Sequence, residues 1–220
     1  ESIFPQYFAL SQHTGNLNFK NVSFNYQNSP LNFSSDQMNW KIENHNILLN
    51  NEKLFINNTD INFTGEVQDL LLYLLDQKDK ISIYGDLSSK SMNFKELLSI
   101  SEIESDEEYF TSVLPNWIDA KIGLNVESFY YEKFNARKLS GEIEYNRNKL
   151  RLNSEKLVMN TLDGEIKANL QYYENKLHDL VLKANLNLHK IDISKGFKVF
   201  DNFNQKYFTN NNIKGTATSN

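Results

Sequence analysis

Apolar and polar residues alternate along much of this chain, and segment 179–189 shows the pattern most clearly. Leucine or alanine occupies every even position from 180 to 188, and the positions between them carry lysine, asparagine and one valine. A period of two residues is typical of a β-strand whose two faces differ in polarity. The segment therefore predicts a strand of about ten residues, roughly 33 Å long.

Similar alternation recurs along the sequence and is interrupted by turn-forming residues such as Asp163-Gly164 and segment 146–148. Short turns between successive strands favour an antiparallel meander. We expect further strands at 17–26, 38–42, 54–63, 80–87, 120–126, 139–145, 149–152 and 165–172. The predicted fold class is mainly β: a long, curled antiparallel sheet with a few short helices.

Helical patterns are few and short. Segment 67–76 has the spacing of one buried helical face, formed by Val67, Leu70, Leu71, Leu74 and Leu75. Asn93 followed by Glu96 resembles a capping box that opens a short helix, and Asp192 or Ser194 can cap a helix at 195–200. Because these helices contain too few residues to cover the predicted strands, we expect a partly open sheet.

The sequence also contains an internal similarity with an offset of 103 residues. Asn50, Glu52, Lys53, Leu54, Asn57 and Asp60 recur in register as Asn153, Glu155, Lys156, Leu157, Asn160 and Asp163. A unit of about one hundred residues that occurs twice predicts an extended array. We expect a first β-repeat at 1–101, an acidic linker at 102–113 and a second β-repeat at 114–220.

Composition narrows the function classes. The net charge of −5 and the lack of a lysine or arginine cluster argue against nucleic acid as a partner. The chain has no cysteine, which fits any compartment, including an oxidising one. It contains no apolar run long enough for a membrane helix. Because it starts at Glu1 without a methionine, we interpret it as a piece of a longer protein.

Patterns that support catalysis or metal binding are missing from the sequence. The four histidines have no ligand spacing, and neither a nucleophile elbow nor a phosphate-binding glycine loop is present. The carboxylate pairs do not sit in an apolar context of the kind that raises a pKa for acid–base catalysis. We therefore expect a non-enzymatic protein with no cofactor and no metal.

Several short motifs resemble the C-terminal region of AsmA-like proteins. They are segments 114–120 (Leu-Pro-Asn-Trp-Ile-Asp-Ala), 134–141 (Phe-Asn-Ala-Arg-Lys-Leu-Ser-Gly) and 186–193 (Leu-Asn-Leu-His-Lys-Ile-Asp-Ile). Segments 200–205 and 212–215 are similar to the version found in Bacteroidetes-type members. The resemblance extends over nearly the whole chain and is best between residues 114 and 215.

This resemblance implies a periplasmic segment of a Gram-negative envelope protein whose N-terminal helix, outside this chain, anchors it in the inner membrane. Relatives are thought to form curled β-sheets with an apolar groove that carries phospholipid towards the outer membrane. The residues expected to line such a groove and contact phospholipid acyl chains are Leu180, Leu182, Leu186, Leu188, Ile166 and Leu170.

Other interpretations of the same strands remain open. These leucines and isoleucines also fit an ordinary closed core. In that case the chain is a structural or protein-interaction β-module that assists outer-membrane protein assembly. A cell-surface carbohydrate-binding domain, which would use exposed aromatic residues such as Tyr130 and Tyr131, is a third possibility.

Overall fold

The computed structural model describes residues 11–25, 32–98, 117–175 and 180–219. The strands are β1 (Thr14–Asn25), β2 (Asn32–Glu43), β3 (Asn46–Ile56), β4 (Thr59–Gln68), β5 (Ile81–Asn93), β6 (Ile118–Tyr131), β7 (Phe134–Asn146), β8 (Arg151–Thr161), β9 (Gly164–Glu174), β10 (Leu180–His189), β11 (Ile191–Asp192) and β12 (Thr216–Ala217). The helices are α1 (Leu70–Leu74), α2 (Phe94–Leu98) and α3 (Ile193–Val199), with single 3-10 turns at Arg147–Lys149 and Asp201–Asn204.

Strands β1 to β10 form one sheet in sequence order, and β11 pairs with β12 separately. The mainly β prediction is therefore confirmed, and the sheet is open, with β1 and β10 at its two edges. The prediction of a purely antiparallel sheet is wrong at one joint, because β5 and β6 are parallel. Neighbouring strands on either side of this joint are antiparallel.

Some predicted boundaries differ from the structure for local reasons. Segment 54–63 is a hairpin and not one strand, because the chain turns at Asn57 and Asn58 between β3 and β4. The helix predicted at 67–76 shrinks to α1, since Val67 belongs to β4 and pairs with Ile83. The predicted linker at 102–113 lies outside the described residues.

The two predicted helix caps have different outcomes. Asp192 caps α3 by accepting a hydrogen bond from the Lys195 backbone N–H at 2.9 Å, which confirms the first of the two predicted residues. Asn93 and Glu96 do interact, but the Asn93 side-chain amide donates to the Glu96 carboxylate at 2.8 Å. This side-chain pair joins Asn93, just before α2, to Glu96 within the helix, and the predicted capping box stays a prediction.

One face of the ten-stranded sheet is apolar from one edge to the other. Cross-strand partners share a face, so a line of successive partners identifies that face. One such line runs through Ile42, Ile47, Val67, Ile83, Ala120, Tyr145, Leu152, Tyr172 and Leu182. A second runs through Leu17, Trp40, Leu49, Gly65, Gly85, Ile122, Ile143, Ser154, Leu170 and Ala184. We call this side the apolar face.

The opposite side is polar, and we call it the polar face. The line of partners one residue along from the first is Lys41, Leu48, Glu66, Tyr84, Lys121, Glu144, Asn153, Gln171 and Lys183. Charged and amide side chains dominate this line. The sheet is therefore a single layer with one water-compatible side and one apolar side.

Bulges in the middle of several strands keep the apolar residues on one side. In β7, Ala136 and Leu139 are three positions apart and both buried, and Lys138 between them has a φ of 52°. In β8, Ser154 and Leu157 are also both buried across a register shift. Strict alternation would put such pairs on opposite faces. The extra residue of a bulge restores the phase.

Side chains from the polar face complete the backbone hydrogen bonding at two bulges, one in β3 and one in β8. The N–H of Asn51, which has a φ of 54°, donates to Thr64 Oγ1 at 2.9 Å. The N–H of Lys156, with a φ of 56°, donates to Asn169 Oδ1 at 2.9 Å. Without these acceptors, the bulged backbone groups would lack a partner on the neighbouring strand. A side chain on the next strand therefore stabilises each bulge.

The two bulges occupy corresponding places in the fold. Asn51 lies on the third strand of the first five, and Lys156 lies on the third strand of the second five, 105 positions later. The turns that follow, at Asn57 and at Leu162, are separated by the same number of residues. This spacing differs by two from the offset of the sequence similarity, so matched residues take different places around the bulges: Glu52 is buried, whereas Glu155 is exposed. A duplicated origin of the two halves stays a prediction.

A third set of contacts of this kind joins β4 to β5. Asp60 accepts backbone N–H bonds from Lys90 at 3.0 Å and Ser91 at 2.9 Å. Burial acts to raise the pKa of Asp60, but these hydrogen bonds, with one from the Ser89 hydroxyl, outweigh it and lower the pKa below its ordinary value. The ionised carboxylate therefore holds the end of β5 against β4.

We predict that Asp60→Asn lowers the free energy of unfolding by about 1–2 kcal/mol at neutral pH, since it weakens charge-assisted hydrogen bonds. A carboxylate with a lowered folded-state pKa stabilises the fold above its unfolded-state pKa, and loses this contribution as the pH falls through the folded-state value. The difference from the parent protein should thus shrink below a pH of about 4. Chemical denaturation of both proteins at several pH values measures this difference in the free energy of unfolding. Asp86→Asn, at an exposed position, is the control and should change the free energy of unfolding less than Asp60→Asn at neutral pH.

Strands β4 and β5 approach each other closely at a pair of glycines. Gly65 and Gly85 are direct partners, and the ring of Phe63 lies over both on the apolar face. A Cβ atom on Gly85 would lie 2.3 Å from the Thr64 carbonyl oxygen and 2.8 Å from the Gly65 Cα atom. Both neighbours are backbone atoms, so a side chain at Gly85 requires the strands to separate.

We therefore predict that Gly85→Ala destabilises the protein by about 1–3 kcal/mol, the usual cost of overpacking. The control is Gly15→Ala on edge strand β1, where no atom lies within 4 Å of the added Cβ. In thermal unfolding, Gly85→Ala should have a lower melting temperature than Gly15→Ala. An unchanged melting temperature for Gly85→Ala would contradict the close approach of β4 and β5.

Candidate apolar binding surface

The structure brings the predicted groove residues together at the β9–β10 end of the apolar face. Leu188 pairs with Ile166, and Ala184 pairs with Leu170. Leu186 and Leu182 pair with Ala168 and Tyr172, which lie on the same face. Strand β10 begins at Leu180, and the side chain of this residue is outside the described part of the structure. Their contact with lipid stays a prediction.

Exposure on the apolar face increases from the middle of the sheet to the β10 edge. Val126 on β6 is fully buried, within a cluster that also contains Leu139 and Leu157. On β10, in contrast, 64% of Leu182 and 52% of Leu186 is exposed. Among the described elements, the other sheet is the short pair β11–β12, whose strands have two residues each and which contacts the ten strands near β9. The apolar face is thus partly ordinary core and partly open surface.

Aromatic residues gather at one end of the apolar face, where β5 and β6 end. The ring of Phe129 lies 5.7 Å from Phe94 and 6.4 Å from Phe134, measured between centroids. Phe134 in turn stacks on Phe200, just after α3, at 6.0 Å. At the opposite end, Tyr73 of α1 stacks on Trp117 at 5.6 Å. Helix α2 and the segment after α3 therefore contact the apolar face where β5 and β6 end.

The sequence analysis did not identify this aromatic cluster as a part of the candidate surface. Phe94, Phe129 and Phe134 lie on α2, β6 and β7, and Phe200 follows α3. The contact of Phe94 with Phe129 depends on the parallel joint between β5 and β6. No local spacing in the sequence connects them. The only available signal was the high aromatic content of 13%.

No group of three or more potential metal ligands occurs among the described residues. The two other shifted groups are the phenol of Tyr145, whose pKa burial and the charge of Asp119 raise, and the ammonium of Lys195, whose pKa a hydrogen bond to Asp163 raises. Neither shift moves the group towards neutral pH. The apolar face can offer a ligand apolar contact and a complementary shape.

A search of the described helices finds no segment with the length and apolarity needed to cross a bilayer. Comparison with known proteins gives no match to a protein-family model, to a curated protein or to a solved structure.

The exposure of Leu182 and Leu186 generates a prediction about dye binding. A dye that fluoresces on exposed apolar surfaces should bind the native protein, and Leu182→Asn with Leu186→Asn should reduce the signal. Because both side chains are more than half exposed, the stability should change by less than about 0.5 kcal/mol per residue.

The matched control is Phe55→Asn, which removes an exposed apolar residue from the polar face. This variant should keep the dye signal. If the dye does not fluoresce in the presence of the native protein, the apolar face is covered in solution.

Proposed function

We propose that this chain is a non-enzymatic segment of an AsmA-like envelope protein and that its apolar face binds phospholipid acyl chains. In this proposal the parent protein is held in the inner membrane by an N-terminal helix outside this chain. The segment lies in the periplasm and contributes to phospholipid transport towards the outer membrane. The observation that carries the proposal is the apolar face, which spans ten strands and opens to solvent at β10.

Acyl chains suit this surface because they need no specific polar partner. The transfer of each methylene from water contributes about 0.8 kcal/mol, so a chain of about fourteen carbons can bind firmly through apolar contact alone. Head groups can stay hydrated at the edge of the sheet, beside the lysine and asparagine side chains of β10. Contiguous exposed apolar surface is also rare on soluble proteins that have no partner for it.

The segments that resemble AsmA-like proteins give the proposal its biological context. Segment 134–141 forms the first part of β7, and segment 186–193 runs from the end of β10 through β11 into α3. Segment 114–120 is described only from Trp117 onward.

Photo-crosslinking tests the proposal most sharply. We expect a photo-reactive amino acid at position 182 or 186 to crosslink to phospholipid, and the same amino acid at position 55 on the polar face to give no product. Native mass spectrometry of the purified protein should show bound phospholipid that organic extraction removes. If positions 182 and 186 react no more than position 55 and no lipid co-purifies, the proposal is wrong.

A protein-interaction role is the second candidate, and the edges of the sheet favour it. Strand β1 pairs only with β2 among the described strands, so one row of its backbone groups faces outward. Such an edge can accept a strand from another protein. This role predicts a lipid-free particle that binds an extended peptide through β1, and proline substitutions in β1 would abolish that binding without affecting lipid crosslinking.

A further inference from the structure

The segment after α3 exposes four aromatic side chains within nine residues, and we call segment 200–208 the aromatic loop. Phe200 and Phe203 stack with ring centroids 5.5 Å apart and are about half exposed. Tyr207 is 87% exposed and Phe208 is 63% exposed. Single exposed apolar residues are normal on protein surfaces, but four in nine residues form a patch that requires an explanation.

A network of side-chain hydrogen bonds fixes the backbone of the aromatic loop. Gln205 Oε1 accepts from the N–H groups of both Tyr207 and Phe208 at 2.9 Å, and its amide nitrogen donates to the Phe208 carbonyl. Asn202 Oδ1 accepts from the Asn210 N–H at 2.8 Å, and the Asn212 amide donates to the Tyr207 carbonyl at 3.3 Å. The loop is therefore ordered while its aromatic side chains point into solvent.

The turn at Asp201–Asn204 adds backbone strain to this picture. All four residues have left-handed φ values between 47° and 56°. Asp and Asn tolerate this region, but Phe203 does not adopt it readily. Strained backbone that surrounding hydrogen bonds maintain occurs frequently at binding sites. This left-handed turn places Phe203 beside Phe200.

The charge around the aromatic loop is opposite to that of the whole protein. Segment 190–214 contains five lysines and two aspartates, a net charge of +3, whereas the complete chain carries −5. Lys195 and Lys133 are paired with Asp163 and Asp201. Lys198 and Lys206 are both exposed. Lys206 directly precedes Tyr207, and Lys198 lies on α3 near Lys133 and Lys195. The exposed aromatic patch therefore lies in a locally basic region of an acidic protein.

We propose that the aromatic loop docks this protein onto the surface of an anionic lipid bilayer. Phe203, Tyr207 and Phe208 enter the interfacial region, and Lys198 and Lys206 contact the phosphate groups of the lipids. Aromatic side chains favour the level of the head groups, and each lysine near an anionic surface adds to the attraction. This proposal concerns the bilayer surface and holds whether or not acyl chains occupy the apolar face.

Lysine distinguishes a bilayer from a protein partner at this site. Protein–protein interfaces are enriched in aromatic residues but depleted of lysine, whereas membrane-binding surfaces combine both. The aromatic loop also continues into the aromatic cluster, because Phe200 stacks on Phe134. A docked loop would thus bring one end of the apolar face next to the bilayer.

The test is vesicle flotation of the full chain. We expect it to bind mixed phosphatidylcholine–phosphatidylglycerol vesicles more tightly than vesicles of phosphatidylcholine alone, and to lose this preference at high salt because salt screens the lysines. The double variant Tyr207→Ser with Phe208→Ser should weaken binding by about tenfold or more, a change that corresponds to 1.4 kcal/mol. Both side chains are exposed, so circular dichroism should show an unchanged fold.

Two controls separate this proposal from general apolar adhesion. Tyr84→Ser removes an exposed aromatic residue from the polar face and should bind vesicles like the parent protein. Leu182→Asn with Leu186→Asn should also retain vesicle binding, even if it loses phospholipid crosslinking. Lys198→Gln with Lys206→Gln should remove the preference for anionic vesicles.

Three results would overturn the proposal. The first is a parent protein that does not float with anionic vesicles. The second is a Tyr207→Ser and Phe208→Ser variant that binds as tightly as the parent. The third is sedimentation showing that the parent self-associates and this variant does not, with no difference in vesicle binding, because the aromatic loop would then contact a second copy of the chain.

Discussion

The apolar face depends on one geometric constraint: the phase of side-chain alternation must be the same in all ten strands. A slip of one residue moves every following side chain of a strand to the other side of the sheet. A bulge changes this phase within a strand. In β7 and β8 the bulge lies where the sequence pattern shifts by one residue, so Ala136 shares a face with Leu139, and Ser154 shares a face with Leu157. The contacts of Thr64, Asn169 and Asp60 with bulged or terminal backbone are therefore as important to the surface as its leucines.

The same constraint links the fold to the proposed role. A single-layer sheet cannot bury its apolar side against itself, and the described helices, with five to seven residues each, are too short to cover that side. The cluster around Val126 and Leu139 has enough neighbours to form a core, whereas Leu182 and Leu186 at the β10 edge do not. Acyl chains along the apolar face and a bilayer against the aromatic loop would each remove apolar surface from water.

The sequence predicted those parts of the fold that local alternation determines. Strand β10 was predicted well because no bulge interrupts segment 180–189. The prediction of a single strand at 54–63 was wrong because the two-residue turn at Asn57 and Asn58 leaves the apolar pattern almost unbroken. Val67 fits both a helix and a strand, and only its pairing with Ile83 decides between them. The parallel joint of β5 and β6 is a long-range choice of partner that no local pattern records.

The central claim is that bulges hold the apolar side chains of each strand on one continuous face, and a nitroxide scan of β8 tests it directly. The chain has no cysteine, so single-cysteine variants from Arg151 to Thr161 can each be labelled at one site. Our account predicts low accessibility to a polar relaxation agent at positions 152, 154, 157, 159 and 161, with the phase changing between 154 and 157. Unbroken alternation through 152, 154, 156, 158 and 160 would contradict it.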